Sequence, residues 1–133
     1  MNAEGVWYVD SSAIVKLVAS EPESEALARF LKPRESLVSS GLATTEVTRA
    51  VGALGVRFVD RADEVLRRIE LVRISNEVLK AAGLLQPWAL RSLDAIHLTT
   101  AALFGETLSG LVTYDDRMHQ AAGSFGWNVQ APK

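Results

Sequence analysis

Short apolar runs alternate along the chain with longer stretches in which apolar residues recur every three or four positions. The short runs predict buried strands, and the longer stretches predict amphipathic helices. The predicted strands are roughly 6–10, 36–40, 70–74, 111–114 and 127–130, and the predicted helices begin near Ser11, Ser20, Leu42, Asp60, Ser75, Ser92 and Asp116. This regular alternation predicts an α/β fold with a parallel sheet that is covered by helices on both faces.

Composition and charge narrow the class of protein. The 133 residues, 48% of them hydrophobic and 23% charged, predict one globular domain that spans residues 1–133. A formal net charge of −2 argues against a coat protein that binds nucleic acid through a strongly basic surface. The absence of cysteine excludes disulfides, thiolate metal sites and cysteine nucleophiles. Without a membrane-spanning apolar run or a signal-peptide pattern in residues 1–5, a cytoplasmic location is expected.

Four acidic residues fall where an α/β chain gathers side chains at one edge of its sheet. Asp10 and Asp115 each follow an apolar run, so both are predicted at the carboxyl end of a buried strand. Glu46 and Asp94 lie early in two predicted helices. Ligands of open parallel sheets bind outside the carboxyl ends of the strands. If the first and fourth strands are neighbours, the sequence therefore predicts an acidic cluster at that edge.

Such a cluster of carboxylates requires a countercharge. Two like charges about 5 Å apart repel by roughly 3 kcal/mol at an effective dielectric constant near 20. The groups must therefore take up protons or bind a cation. Oxygen ligands without cysteine or clustered histidine favour Mg²⁺ or Mn²⁺, and the chemistry that such ions support best is phosphodiester hydrolysis.

Each acid also has a purely structural interpretation. Asp10 and Asp115 precede helical stretches and suit helix caps. Glu46 precedes Arg49 by three residues, a spacing that is typical of a surface ion pair. Asp94 lies among apolar residues near a helix start, where a carboxylate suits the helix dipole. Each residue alone is therefore a weak signal, and the joint arrangement carries the prediction.

Further polar residues are candidates for auxiliary roles. Thr113 is a candidate to orient a ligand or a water, and Ser11 is a candidate to bind phosphate, although a strand residue and a helix cap explain them as well. Asp116 is the candidate for an additional acid. His97 follows Asp94 by three residues and is predicted to pack behind the site rather than to bind metal. The candidate basic residues for substrate binding are Lys16, Arg49, Arg91 and Arg117.

Four segments together resemble the motifs of PIN-domain nucleases, and the short single-domain form resembles VapC-type toxins of bacterial toxin–antitoxin pairs. The segments are YVDSSAIVKL from Tyr8, TEVTRA from Thr45, LDAIHLTTA from Leu93 and LVTYDDRM from Leu111. The resemblance extends from Tyr8 to the end of the chain.

The resemblance implies both a fold and an activity. The implied fold is a PIN-like three-layer α/β/α domain with a central parallel sheet of about five strands in the order 3-2-1-4-5. By the same resemblance Asp10, Glu46, Asp94 and Asp115 match the catalytic acids, of which Asp10, Asp94 and Asp115 would bind Mg²⁺ or Mn²⁺. The implied activity is RNA cleavage by a homodimer that a VapB-like antitoxin inhibits.

Three other interpretations compete with this one. A PIN-like module that only binds RNA or protein keeps the fold without catalysis, and the intact acids count against it. A phosphoacceptor receiver domain needs an acceptor aspartate after the third strand, where this chain has Ile74 and Ser75. Dinucleotide binding requires a glycine-rich first turn, which the chain lacks.

Overall fold

A five-stranded parallel sheet forms the centre of the protein in the computed structural model, which describes residues 4–133. The strands lie in the order β3-β2-β1-β4-β5 and are β1 (Val6–Val9), β2 (Leu37–Ser40), β3 (Glu70–Val72), β4 (Leu108–Val112) and β5 (Val129–Gln130). The helices are α1 (Ser11–Val18), α2 (Ser24–Leu31), α3 (Leu42–Val51), α4 (Val56–Leu66), α5 (Asn76–Leu84), α6 (Ser92–Ala102) and α7 (Asp116–Ser124). The predicted fold class and strand order are confirmed.

The two faces of the sheet follow from the alternation of side chains along a strand. Trp7 and Val9 of β1 pack into one apolar cluster with residues of α1, α2, α3 and α4. Tyr8, between them, packs into a second cluster with Leu98 of α6 and Met118 of α7. The sheet is therefore covered on both faces. Because β1 lies between β2 and β4, the residues that follow β1 and β4 come together at one edge.

The strand order also excludes the receiver domain. In receiver-like folds the first strand lies beside the third. In this protein β1 pairs with β2 and β4, and β3 lies at the edge of the sheet beside β2.

None of the helices in residues 4–133 has the length and apolar character that a membrane span requires. The segment used for the signal-peptide prediction lies partly outside the described residues.

Several predicted element ends were wrong, each for a local reason. Helix α4 begins at Val56 rather than near Asp60, because Gly55 adopts a φ of 122° that lets the chain turn directly into the helix. Strand β4 ends at Val112, so Thr113 lies beyond the strand. By contrast, α6 begins at Ser92 as predicted, with Arg91 in the cap position.

Gly110 in β4 is required by close packing. A Cβ atom there would lie 2.5 Å from Cζ3 of Trp7 and 2.7 Å from the backbone oxygen of Asn128. We expect Gly110→Ala to lower the free energy of unfolding by about 1–3 kcal/mol, because the added methyl group overpacks the sheet. Urea denaturation checks this, with Gly123→Ala as the control because a Cβ at that helical position meets nothing within 4 Å. Equal stability of the two variants would contradict the prediction.

Candidate active site at the carboxyl ends of the central strands

Asp10 is anchored at the end of β1 and is only 2% exposed. Its Oδ1 accepts hydrogen bonds from Oγ of Ser12 (2.7 Å) and from the backbone amide of Ala13 (3.0 Å), so Asp10 is the N-cap of α1. Its Oδ2 accepts a 2.5 Å hydrogen bond from Oγ1 of Thr113. Burial raises the pKa of Asp10 above its ordinary value, although these hydrogen bonds oppose the shift. Asp10 therefore does cap α1, and the hydrogen bonds to its two oxygens fix the carboxylate at the sheet edge.

Thr113 connects Asp10 with Asp115. The same hydroxyl that donates to Asp10 accepts a 3.0 Å hydrogen bond from the backbone amide of Asp115. Oδ1 of Asp115 caps α7 by accepting from the amides of Arg117 and Met118 at 2.9 and 3.0 Å. Oδ2 of Asp115 makes an ion pair with Nη2 of Arg91 (2.9 Å). Thr113 thus orients two of the predicted acids.

Glu46 projects from α3 toward the start of α1 and the middle of α6. Its Oε1 accepts a 2.6 Å hydrogen bond from Oγ of Ser11 and lies 2.7 Å from Nε2 of His97. Partial burial alone would raise the pKa of Glu46, but the hydrogen bonds from His97 and Ser11 together with nearby positive charge hold that pKa below its ordinary value. Glu46 therefore stays ionised, and the alternative of a surface ion pair with Arg49 does not occur.

His97 joins Glu46 to the core. It is 2% exposed, and its Nδ1 lies 2.6 Å from the hydroxyl of Tyr8, which is fully buried. Burial raises the pKa of Tyr8 far above its ordinary value, so the phenol keeps its proton and donates to Nδ1. Nε2 then carries the ring proton and donates to Glu46. The prediction that His97 packs behind the site agrees with this geometry, and the contact with Glu46 adds a positioning role.

The guanidinium of Arg91 bridges Asp94 and Asp115. Nε of Arg91 lies 2.9 Å from Oδ2 of Asp94, and Nη2 of the same guanidinium lies 2.9 Å from Oδ2 of Asp115. Asp94 lies in the first turn of α6 with only 11% of its side chain exposed. Arg91 was predicted to bind substrate, and the structure places it between two of the acids instead.

The other predicted basic residues surround this edge less directly. Lys16 makes ion pairs with Glu21 (3.1 Å) and Glu23 (2.7 Å), so acidic neighbours already neutralise its charge. Arg49 and Arg117 are exposed, and neither makes an ion pair with the described residues. Of the four basic residues predicted to bind substrate, Arg49 and Arg117 are therefore the two whose charges no acidic neighbour among the described residues neutralises.

Asp116 is exposed at the start of α7, directly after Asp115. Together with Thr113 and Tyr114 it lines an open depression that Lys16 and His119 also border. No contact with Asp10, Asp94 or Asp115 supports its predicted role as an additional acid.

The four acids form a linked series rather than one tight cluster. Thr113 joins Asp10 to Asp115, Arg91 joins Asp115 to Asp94, and Glu46 accepts a hydrogen bond from Ser11, the residue directly after Asp10. In residues 4–133 no three acidic or histidine side chains are close enough to hold one metal ion. The donor set nevertheless fits Mg²⁺ or Mn²⁺ chemically, because it consists of carboxylate oxygens and already holds one positive charge in the guanidinium of Arg91.

The sequence did not predict the contacts that two residues, Ser12 and Tyr8, make in the site. Ser12 anchors Asp10 and also accepts the backbone amide of Tyr114 at 3.0 Å, so it connects the segments that follow β1 and β4. Tyr8 holds His97 from the core. The signal for Tyr8 was present, since a tyrosine within a buried strand needs a partner for its hydroxyl.

Comparison with known proteins places this site in a family. Residues 7–124 match the PIN domain family. Ribonuclease VapC46 of Mycobacterium tuberculosis is 50% identical over 125 residues, which cover 94% of this chain and 96% of that protein. Ribonuclease VapC35 of the same species is 40% identical over 129 residues, with the same coverage of both chains. The chain therefore belongs to the PIN-domain family and, within it, to the VapC ribonucleases, as the four motifs predicted.

Solved structures agree with this fold. The crystal structure of Mycobacterium tuberculosis VapC20, a toxin that cleaves the sarcin-ricin loop, superposes with a TM-score of 0.73 at 13% identity and covers 95% of this chain and 99% of that one. A toxin–antitoxin complex from Klebsiella pneumoniae gives a TM-score of 0.67 at 24% identity and covers 95% and 97% of the two chains. At these identities the likeness shows the shared fold.

Proposed function

We propose that this VapC-family ribonuclease is an endoribonuclease that depends on Mg²⁺ or Mn²⁺. The observation that carries the proposal is that Asp94 and Asp115 both make an ion pair with the guanidinium of Arg91. Asp10 and Thr113, which are hydrogen-bonded to each other, lie at the same edge, at the carboxyl ends of β1 and β4. Two carboxylates that share one cation are placed to share another. Asp94 and Asp115 would hold the ion, because Mg²⁺ is commonly bound by one or two carboxylates together with waters and substrate phosphates, and Asp10 would add negative charge beside them.

The other side chains of the site have separate proposed roles. When bound, the ion supplies Lewis-acid stabilisation of the phosphate oxygens and a more acidic water. Ser11 and His97 both contact Oε1 of Glu46, which leaves Oε2 free to accept a proton from the attacking water. Thr113 keeps Asp10 and Asp115 in fixed orientation. Arg49 and Arg117 are the proposed contacts to the RNA backbone, because they are exposed and unpaired within the described residues.

Metal removal tests the activity. Purified protein treated with EDTA should lose cleavage of total RNA, and added Mg²⁺ or Mn²⁺ should restore it, since the carboxylates cannot supply Lewis-acid chemistry alone. Cleavage is followed by gel electrophoresis, beside a mock preparation from cells that carry an empty vector. Cleavage that persists in EDTA would contradict metal dependence. Cleavage of equal strength in the mock preparation would assign it to a contaminant.

We further propose the biological setting that the family suggests. The partner would be a small VapB-like antitoxin that inserts a basic side chain among the acids, and Arg91 supports this mode because a guanidinium already fits between Asp94 and Asp115. The enzyme would act as a cytoplasmic homodimer of one domain per chain. Co-purification with the product of a neighbouring small gene, and a dimeric mass in solution, are the expected results.

A further inference from the structure

Arg91 makes an unusual double contact for a residue outside any catalytic motif. Its Nε and Nη2 each lie 2.9 Å from an Oδ2 atom, one on Asp94 in α6 and the other on Asp115 before α7. The planar guanidinium presents several donors in a fixed fork, so it can satisfy two carboxylates at once. Arg91 therefore connects Asp94, three residues further along the chain, with Asp115, which is 24 residues further along.

Arg91 is also the countercharge of the site. Among residues 4–133 it is the cation that makes an ion pair with Asp94 or Asp115, and no other does so. Asp94 is nearly buried, and a buried carboxylate without a partner is costly. The protein without metal therefore depends on Arg91 to neutralise this edge.

The guanidinium can leave without disturbing the core. The Arg91 side chain is 56% exposed, and the residue is the N-cap that precedes α6 rather than part of a packed helix face. It borders an open groove that Pro87, Leu90 and Arg117 also line. The contacts of Arg91 thus hold the acids, while its exposure leaves a path by which they can be released.

We propose that Arg91 is an exchangeable internal cation. It holds Asp94 and Asp115 together in the metal-free protein and gives up these carboxylates when a divalent ion binds. The inference rests on the proposed function, because the competing ion is the one proposed there. Arg91 occupies Oδ2 of both carboxylates, so an ion held by Asp94 and Asp115 would compete with the guanidinium and bind with lower apparent affinity.

Titration of metal-free protein with Mn²⁺ tests the competition. Free Mn²⁺, measured by its electron paramagnetic resonance signal, gives the dissociation constant for wild type, Arg91→Gln and Arg117→Gln. We expect Arg91→Gln to bind Mn²⁺ at least about threefold more tightly than wild type, because the two ion pairs of Arg91, one part-buried and one exposed, no longer compete. Arg117→Gln removes the same charge nearby without removing an ion pair, so it corrects for the general loss of positive potential. Arg91→Lys should fall between wild type and Arg91→Gln, since an ammonium lacks the fork.

Thermal unfolding gives a second readout that is independent of RNA. In EDTA, Arg91→Gln should melt below wild type because the acids lose their countercharge, and saturating Mn²⁺ should raise its melting temperature more than that of wild type. Equal or weaker Mn²⁺ binding by Arg91→Gln would overturn the inference and leave the proposed function intact if wild type still binds. Absence of Mn²⁺ binding in every variant would overturn both.

Discussion

Replacing Asp94 with asparagine is expected to lower RNA cleavage by at least about 100-fold, the effect typical of removing one preorganised charge from an active site. Asparagine has the same shape but no negative charge, so it weakens the proposed metal site while keeping the packing of α6. The loss should appear in kcat, because the charge acts on the reacting phosphate rather than on the whole RNA.

The matched control is Asp63→Asn. Asp63 lies on α4, is exposed and pairs with Arg67 one helical turn later (2.8 Å), so the same chemical change occurs away from the site. Cleavage of a labelled RNA at saturating Mn²⁺ should be unchanged in this variant. Circular dichroism of both variants separates lost chemistry from lost fold. If Asp94→Asn kept more than about a tenth of the wild-type rate, Asp94 would not be part of the catalytic machinery.

The location of this site was predictable from sequence because strand ends are easy to recognise. Asp10 follows an apolar run in which Trp7, Tyr8 and Val9 alternate between the two faces of the sheet. The same holds for Asp115 after β4. Placing both acids at one edge also required β1 and β4 to be neighbours, and this adjacency came from the family resemblance rather than from the residues.

The way in which the acids are neutralised was beyond sequence reasoning. The predicted repulsion assumed bare carboxylates, whereas each acid has its own partner in the structure: hydroxyl groups for Asp10, His97 for Glu46 and Arg91 for the other two. These contacts join residues that are from 2 to 103 positions apart. Only Asp94 and Arg91 were close enough in sequence for helical spacing to suggest a pair.

The contacts of His97 were also predicted only in part from the sequence. Its spacing from Asp94 placed both residues near one face of a helix, and an apolar neighbourhood made packing the better prediction. The packing is real, since His97 is buried against Tyr8. Its second nitrogen reaches Glu46 on α3, however, and a contact between α6 and α3 depends on how helices on opposite faces of the sheet approach its edge.

Substitutions of His97 are expected to separate these two contacts. The side-chain nitrogen of glutamine can reach the position of Nε2, so His97→Gln keeps a donor for Glu46. The side-chain amide of asparagine reaches only the position of Nδ1, so His97→Asn keeps a partner for Tyr8 and loses the donor to Glu46. His97→Gln leaves the buried Tyr8 hydroxyl without its partner, and His97→Asn removes one of the two donors to Glu46, so each should lose about 1–3 kcal/mol of unfolding free energy.

The two variants should differ in activity despite this similar loss of stability. We expect His97→Asn to lower kcat by at least about tenfold, because Glu46 loses the contact that positions its carboxylate, whereas His97→Gln should keep most of the wild-type rate. The hydrogen bond from His97 also helps to lower the pKa of Glu46. Its removal raises that pKa, so the acid limb of the kcat profile should move to higher pH in His97→Asn.

Steady-state cleavage of a labelled RNA from about pH 3.5 to pH 8 measures both effects, because the pKa of Glu46 lies below its ordinary value, at temperatures where urea denaturation shows each variant folded. His119→Gln, on the exposed face of α7, is the control for loss of a histidine. Equal kcat values and equal pH profiles for His97→Asn and His97→Gln would mean that His97 only fills the core. A difference in the expected direction would mean that the hydrogen bonds from Tyr8 to His97 and from His97 to Glu46 orient the carboxylate that accepts the proton.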